Sequence, residues 1–245
     1  MVFNPRMTSH STSLAERLAA VHDRIATACT DAGRSADEVT LVAVSKKHSP
    51  EAVAEAAAAG QTVFGENRVQ EASQKIPLCD ERLDFHLIGH LQSNKAKFVP
   101  RLFSTVHSVD SGKLMRALDA AAGQAGTSLR VFLQVNVAGE AQKFGLKPNE
   151  LPSLLRRAED CYNLNVDGLM TMPPIVRDPE DARRWFSTLR ELRDRMRDET
   201  GFPLDQLSMG MSHDMEAAIK EGATFVRVGT DIFGKRVVPQ EHPND

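Results

Sequence analysis

Two hydrophobic periods alternate along the 245 residues. Leu14, Leu18, Val21 and Ile25 recur on one helical face, Ser13 and Glu16 have capping-box spacing before them, and Gly33 stops the run. A short, continuously apolar stretch follows at 41–45 and ends in Lys46-Lys47; Ser49 and Pro50 then stand at the N-cap and N1 positions of an alanine-rich helix closed by Gly60. The same unit of buried strand and helix recurs. Further strands are expected over 62–64, 85–88, 105–109, 129–135, 166–169, 207–209 and 224–228. Helices are expected over 68–75, 94–99, 111–122, 149–161 and 212–221, with the longest opening at Asp178-Pro179 and ending by Gly201.

Strands that are apolar throughout belong to a parallel sheet covered on both faces, and eight strand–helix units predict a closed α/β barrel of the (β/α)8 TIM type. The barrel is expected over 13–236, with an extra N-terminal helix, a disordered leader over 1–12 and a flexible tail over 237–245. An open doubly wound sheet would carry a glycine-rich GxGxxG after its first strand, where this chain has Ser45-Lys46-Lys47.

Composition narrows the class. A hydrophobic fraction of 41% with 26% charged residues and a net charge of −3 is that of a soluble globular protein, without the basic footprint of a nucleic-acid or membrane binder. Cys29, Cys79 and Cys161 form no CxxC spacing and are odd in number, which points to a reducing cytoplasm rather than a disulfide framework. No stretch has the length of a membrane span, and the N-terminus lacks the apolar core of a secretion signal.

In such barrels chemistry gathers at the C-terminal strand ends, and the loops after strands seven and eight commonly hold a phosphate. Lys46, at the end of strand one, is then either a solvated strand-end lysine or an amine that forms a Schiff base with a carbonyl compound. Ser212 after strand seven and Gly229-Thr230 after strand eight read individually as an N-cap and a tight turn. Together they offer hydroxyls, close approach and free N–H groups to a phosphate. Arg227 should point into the barrel, towards either a core carboxylate or a ligand. Asn67, at the end of strand two, would reach the ligand from the other side. His86 and His90 straddle a strand and a glycine turn, a poor metal spacing, and His213 has no triad partners at hand.

These positions lie within longer motifs. AVSK at 43–46, FGENRVQE at 64–71, HLIGHLQSNK at 86–95, GLMTM at 168–172, SMGMSHDMEAAI at 208–219 and VRVGTDIFG at 226–234 follow one another along nearly the whole chain. By these motifs the chain resembles the pyridoxal phosphate homeostasis protein family, related to the fold-type III pyridoxal 5'-phosphate (PLP) barrel of alanine racemase. The resemblance implies that Lys46 holds PLP as a Schiff base, that Ser212, Gly229 and Thr230 bind its phosphate, that Arg227 faces the pyridine nitrogen, and that Asn67 lies beside the cofactor. Arg68, His90 and His213 stand where the family often has tyrosine, proline and aspartate.

The expected function is therefore intracellular PLP homeostasis by a cytoplasmic monomer: storage and delivery of the cofactor, with PLP-requiring apo-enzymes as recipients and no robust turnover of its own. A PLP-dependent amino-acid racemase or decarboxylase is the alternative. Against it, the chain ends 15 residues after Thr230, without the β-domain of alanine racemase, and its single tyrosine, Tyr162, is placed away from the mouth. A Schiff-base aldolase would leave the paired loops and Arg227 unexplained.

Overall fold

The computed structural model describes residues 12–234; the tail expected over 237–245, and all of the expected leader except Thr12, lie outside them. Helix α1 (Leu14–Asp31) begins at Ser13, whose hydroxyl accepts from the Glu16 amide while the Glu16 carboxylate accepts from the Ser13 amide. The reciprocal pair satisfies donors that a helix start leaves open. Eight parallel strands follow: β1 (Thr40–Val44), β2 (Val63–Glu66), β3 (Asp84–Leu87), β4 (Thr105–Val109), β5 (Leu129–Gln134), β6 (Leu164–Met170), β7 (Gln206–Met211) and β8 (Phe225–Val228). They pair in chain order, and β8 returns to β1 with Val42 opposite Arg227, which closes the barrel. Outside it lie α2 (Pro50–Ala58), α3 (Val69–Lys75), α4 (Gly112–Ala125), α5 (Leu151–Ala158), α6 (Arg183–Thr200), α7 (Met215–Lys220) and the short α8 (Thr230–Phe233).

Two elements differ from the sequence expectation. The connection from β3 to β4 is a 3-10 run, Ser93–Arg101, instead of an α-helix over 94–99. Pro100 inside it has no N–H to donate and disfavours helical geometry at Val99. Strand β7 continues to Met211, so α7 starts at Met215 and Ser212 is not its cap. Asp214 takes that place, and its Oδ1 accepts the Met211 amide at 2.7 Å. Helix α6, expected as the longest, equals α1 at 18 residues and is entered through a 3-10 turn, Pro179–Ala182, with Asp178 accepting from the Glu180 amide.

Alternation along the strands divides the core in two. Leu41, Phe64, Leu87, Val131, Leu207 and Val226 face outward into the layer under the helices. Val42, Val44, Ile88, Phe132, Met170 and Phe225 fill the lumen. Polar side chains share that lumen, among them His86, His107, Ser208 and Arg227, all buried. Phe132 stacks on His107 with ring centroids 4.4 Å apart. The extra helix α1 lies across α7 and α8. Its Arg17 donates to the Ile232 carbonyl at 2.7 Å, and Arg34, just beyond it, donates to the carbonyls of Ile219 and Ala223. No helix among the described residues is long and apolar enough to cross a membrane.

Candidate functional site

Lys46 leaves the barrel two residues beyond the end of β1, and the backbone on either side of it is clamped. The Ser45 hydroxyl donates to Glu66 Oε1 at 2.7 Å, and Lys75, reaching back from α3, donates through Nζ to the Ser45 carbonyl and to Glu66 Oε1, each at 2.8 Å. Lys75 also donates to Glu71 Oε1, which accepts the Lys47 amide. Lys47 sits at φ +64°, a left-handed turn that this anchoring holds in place. Glu66 and Lys75 are both buried, so the pair is tied into hydrogen bonds rather than merely apposed. Burial pushes the Glu66 carboxyl above its ordinary range, against the pull of Lys75 and Ser45.

Across the mouth stand the loops after β7 and β8. Arg24 of α1 joins them: Nε pairs with Glu216 at 2.7 Å, Nη1 with Asp231 at 2.6 Å, and Nη2 donates to the Ser212 carbonyl at 3.0 Å. Gly229 packs its backbone on β1; a Cβ there would lie 3.2 Å from the Val44 carbonyl oxygen and 3.3 Å from Val44 Cβ. Gly89 seats Asn67 in the same way, since a Cβ at 89 would stand 2.3 Å from the Asn67 oxygen. His90 lies flat on Phe144, with ring centroids 3.7 Å apart, and its Nδ1 is 3.4 Å from Asp110.

Arg227 is 4% exposed and meets two neutral acceptors, Ser208 Oγ at 2.6 Å and the Thr171 carbonyl at 3.0 Å. Burial pulls its guanidinium down to about 10, against the charge of Asp214, so it remains cationic at neutral pH. The sequence left open a core carboxylate or a ligand as its partner. Neither of its two hydrogen bonds is to a carboxylate, and the side chain borders the cavity.

That cavity, of about 680 Å³, opens at the C-terminal ends of the strands. Lys46, Asn67, Ser212, Arg227, Gly229 and Thr230 all line it, so six positions from four loops and strand ends meet in one place. His90, Phe144, Met172, Ile175 and His213 form more of its wall. His86 does not join His90 there; it is buried in the lumen against His107. Sequence reasoning missed the supports: Ser45, Glu66, Lys75 and Glu71 beneath Lys46, Arg24 behind the two loops, and Ser208 and His107 behind Arg227. For the lumen residues one signal existed, a polar side chain at an inward position of an otherwise apolar strand.

The profile for the alanine racemase N-terminal domain matches residues 17–237. The pyridoxal phosphate homeostasis protein of Aquifex aeolicus is 44% identical over 222 residues, covering 90% of this chain and 97% of that protein. The chain belongs to the pyridoxal phosphate homeostasis protein family. The Escherichia coli K12 member is 40% identical over 232 residues, covering 91% of this chain and 97% of its own length. Among solved structures, PipY of Synechococcus elongatus with PLP bound superposes with a TM-score of 0.80 at 38% identity, over 91% of this chain and all of that one. An alanine racemase of Clostridium difficile shares the fold, with a TM-score of 0.71 at 14% identity, over 92% of this chain but 58% of the racemase.

Proposed function

We propose that the cavity holds PLP, bound as a Schiff base to Lys46, and that the protein stores and delivers this cofactor in the cytoplasm instead of turning over a substrate. The observation that carries the reading is the convergence of one amine, two hydroxyls and a buried cation on a single cavity at the strand ends. The residues suit the group. Ser212 and Thr230 offer hydroxyls from loops that Arg24 holds together, and the absence of a side chain at Gly229 leaves a cradle beside Val44. The PLP carried by the Synechococcus relative, whose fold covers this chain, supports the same assignment.

Bound PLP supplies a carbonyl that condenses with amines and a ring whose electron-withdrawing power depends on protonation of its nitrogen. Lys46 contributes the amine, from a backbone clamped by Glu66, Lys75 and Glu71. Arg227 is a donor only, and as a cation at the ring nitrogen it would disfavour a proton there, which suits holding over catalysis. Tyr162 is 87% exposed beyond α5 and does not border the cavity, so it offers no second base for racemisation. We assign the function to a barrel over 13–236 acting as a monomer, with PLP-requiring apo-enzymes as recipients.

The test is an amino-acid panel run on PLP-loaded protein. Spectral changes without sustained turnover are expected; chiral inversion or decarboxylation at enzyme-like rates would instead establish the racemase or decarboxylase alternative.

A further inference from the structure

Behind Arg227 a row of side chains crosses the lumen to the other end of the barrel. Arg227 Nη1 donates to Ser208 Oγ at 2.6 Å, and Ser208 Oγ is 2.7 Å from His107 Nδ1. His107 Nε2 is 3.0 Å from His86 Nδ1, and His86 Nε2 is 3.0 Å from Asp84 Oδ2. Asp84 opens β3 at the end of the barrel away from the cavity; its side chain is 40% exposed and its other oxygen accepts from the Ser104 hydroxyl. Three residues of the row, His86, His107 and Ser208, are 1% exposed or less.

The two ends dictate the direction of every bond. A guanidinium can only donate, so Ser208 accepts from Arg227 and passes its own proton to His107 Nδ1. A carboxylate can only accept, so His86 carries a proton on Nε2 and its Nδ1 accepts from His107 Nε2. From either end the two imidazoles take the same tautomer, each neutral with its proton on Nε2. A second proton on His86 would reverse the central bond and set His107 and Arg227 both donating to Ser208, stranding the serine proton. Burial drives the His107 imidazolium pKa well below its ordinary value, with the charges of Arg227 and Arg130 acting in the same sense. Burial alone would raise Asp84, but the hydrogen bonds from His86 and Ser104, with the charge of Arg130, hold its carboxyl below the usual range. Arg130, whose charge acts on both Asp84 and His107, is itself paired with Asp167 at 2.5 Å.

We propose that Asp84, His86, His107 and Ser208 are positioning residues for Arg227: one directed hydrogen-bond chain, anchored by the Asp84 carboxylate at the closed end, that fixes how the guanidinium is presented to the cavity. Packing alone would not require such a chain. An apolar lumen of equal volume would avoid the cost of burying four polar groups. The aromatic faces of Phe132 and Phe225 pack against His107 and enclose the row on its sides.

The chain makes its own prediction about protons, and only the second readout below rests on the PLP reading. In full-length protein with nitrogen-15 histidine, two-bond proton–nitrogen spectra at neutral pH should show His86 and His107 both neutral and protonated on Nε2. A proton on Nδ1 of either ring, or a doubly protonated ring, overturns the proposal without any variant having to fold. Asp84→Asn can accept or donate, so it should leave both rings as tautomer mixtures. Ser208→Ala should release His107 Nδ1 while His86 stays fixed by Asp84. Each variant should weaken PLP retention about 3- to 10-fold, the size expected of one ordinary hydrogen bond, because the loss reaches the cofactor only through the orientation of Arg227. Phe132→Leu, which changes packing on His107 but no atom of the chain, should stay within about twofold. Unchanged retention in both folded variants would reduce the row to core packing and sink the positioning role. Failure of the unaltered protein to bind PLP would refute the cofactor reading, and the tautomer spectra would still decide the chain.

Discussion

The layer between barrel and helices and the lumen inside the barrel are built from the same strands yet obey different rules. Outward positions such as Phe64, Leu87 and Val226 meet apolar helix faces, and that layer is apolar almost throughout. One deep polar inclusion in it, Glu66 with Lys75, lies directly under the Lys46 turn. The lumen mixes apolar residues with buried polar ones, and His86, His107, Ser208 and Arg227 form a line that ends at the cavity. Both of these polar groups lead to the mouth. Stability resides mainly in the first region, and the second converts part of its packing into orientation.

Substitutions can separate the two. Phe186→Ala, in the outer layer and fully buried, should cost about 3–5 kcal/mol in urea unfolding while the folded fraction keeps its PLP affinity within about twofold. A comparable loss of affinity would mean the regions are not separable. Lys75→Met should cost a similar amount, about 3–5 kcal/mol, because it strands the buried Glu66 carboxylate. Unlike Phe186→Ala it should also weaken the covalent PLP adduct, and Glu66→Gln added to it should restore most of the stability. If the single variant unfolds no more easily than wild type, the clamp is not the source of order at Lys46.

Smaller effects belong to the mouth and the lumen. Ser212→Ala with Thr230→Val should reduce PLP affinity by about tenfold or more, since each charge-assisted hydrogen bond contributes ~1.5–3 kcal/mol, with the urea midpoint nearly unchanged. Equal affinity in the double variant would remove both hydroxyls from the site. The smallest effect is a pH dependence. His107 is depressed in the folded protein, so below its ordinary value of 6.5 the unfolded chain takes up a proton that the folded chain refuses. The unfolded state then binds more protons, and stability falls as pH falls below about 6.5, by up to about 1.4 kcal/mol per unit. His107→Gln should flatten that part of the stability curve, measured by urea unfolding from about pH 7 to about pH 5. An unaltered slope would show that His107 titrates freely.

The same contrast explains what could be read from the sequence. Outward apolar runs with capped helices between them revealed all eight strands, because hydrophobic period and helix punctuation are local signals. The six cavity positions were legible as well, since strand ends are where such a barrel places its chemistry. Elements governed by a single competing residue were misread. Pro100 kept 93–101 from becoming an α-helix, and Asp214 displaced Ser212 as the cap. The supports were invisible for a different reason. Glu66 meets Lys75, and His86 meets His107, only after the barrel closes, and neither pair has a sequence spacing that announces it.

The central claim is that Lys46 anchors PLP, and reductive trapping tests it most directly. PLP-loaded protein treated with borohydride and digested should yield a phosphopyridoxyl group on the peptide that contains Lys46, at its Nζ. Lys46→Ala should lose both that adduct and the visible absorbance. An adduct at Lys47 or Lys75, or full retention of the label in Lys46→Ala, would contradict the account.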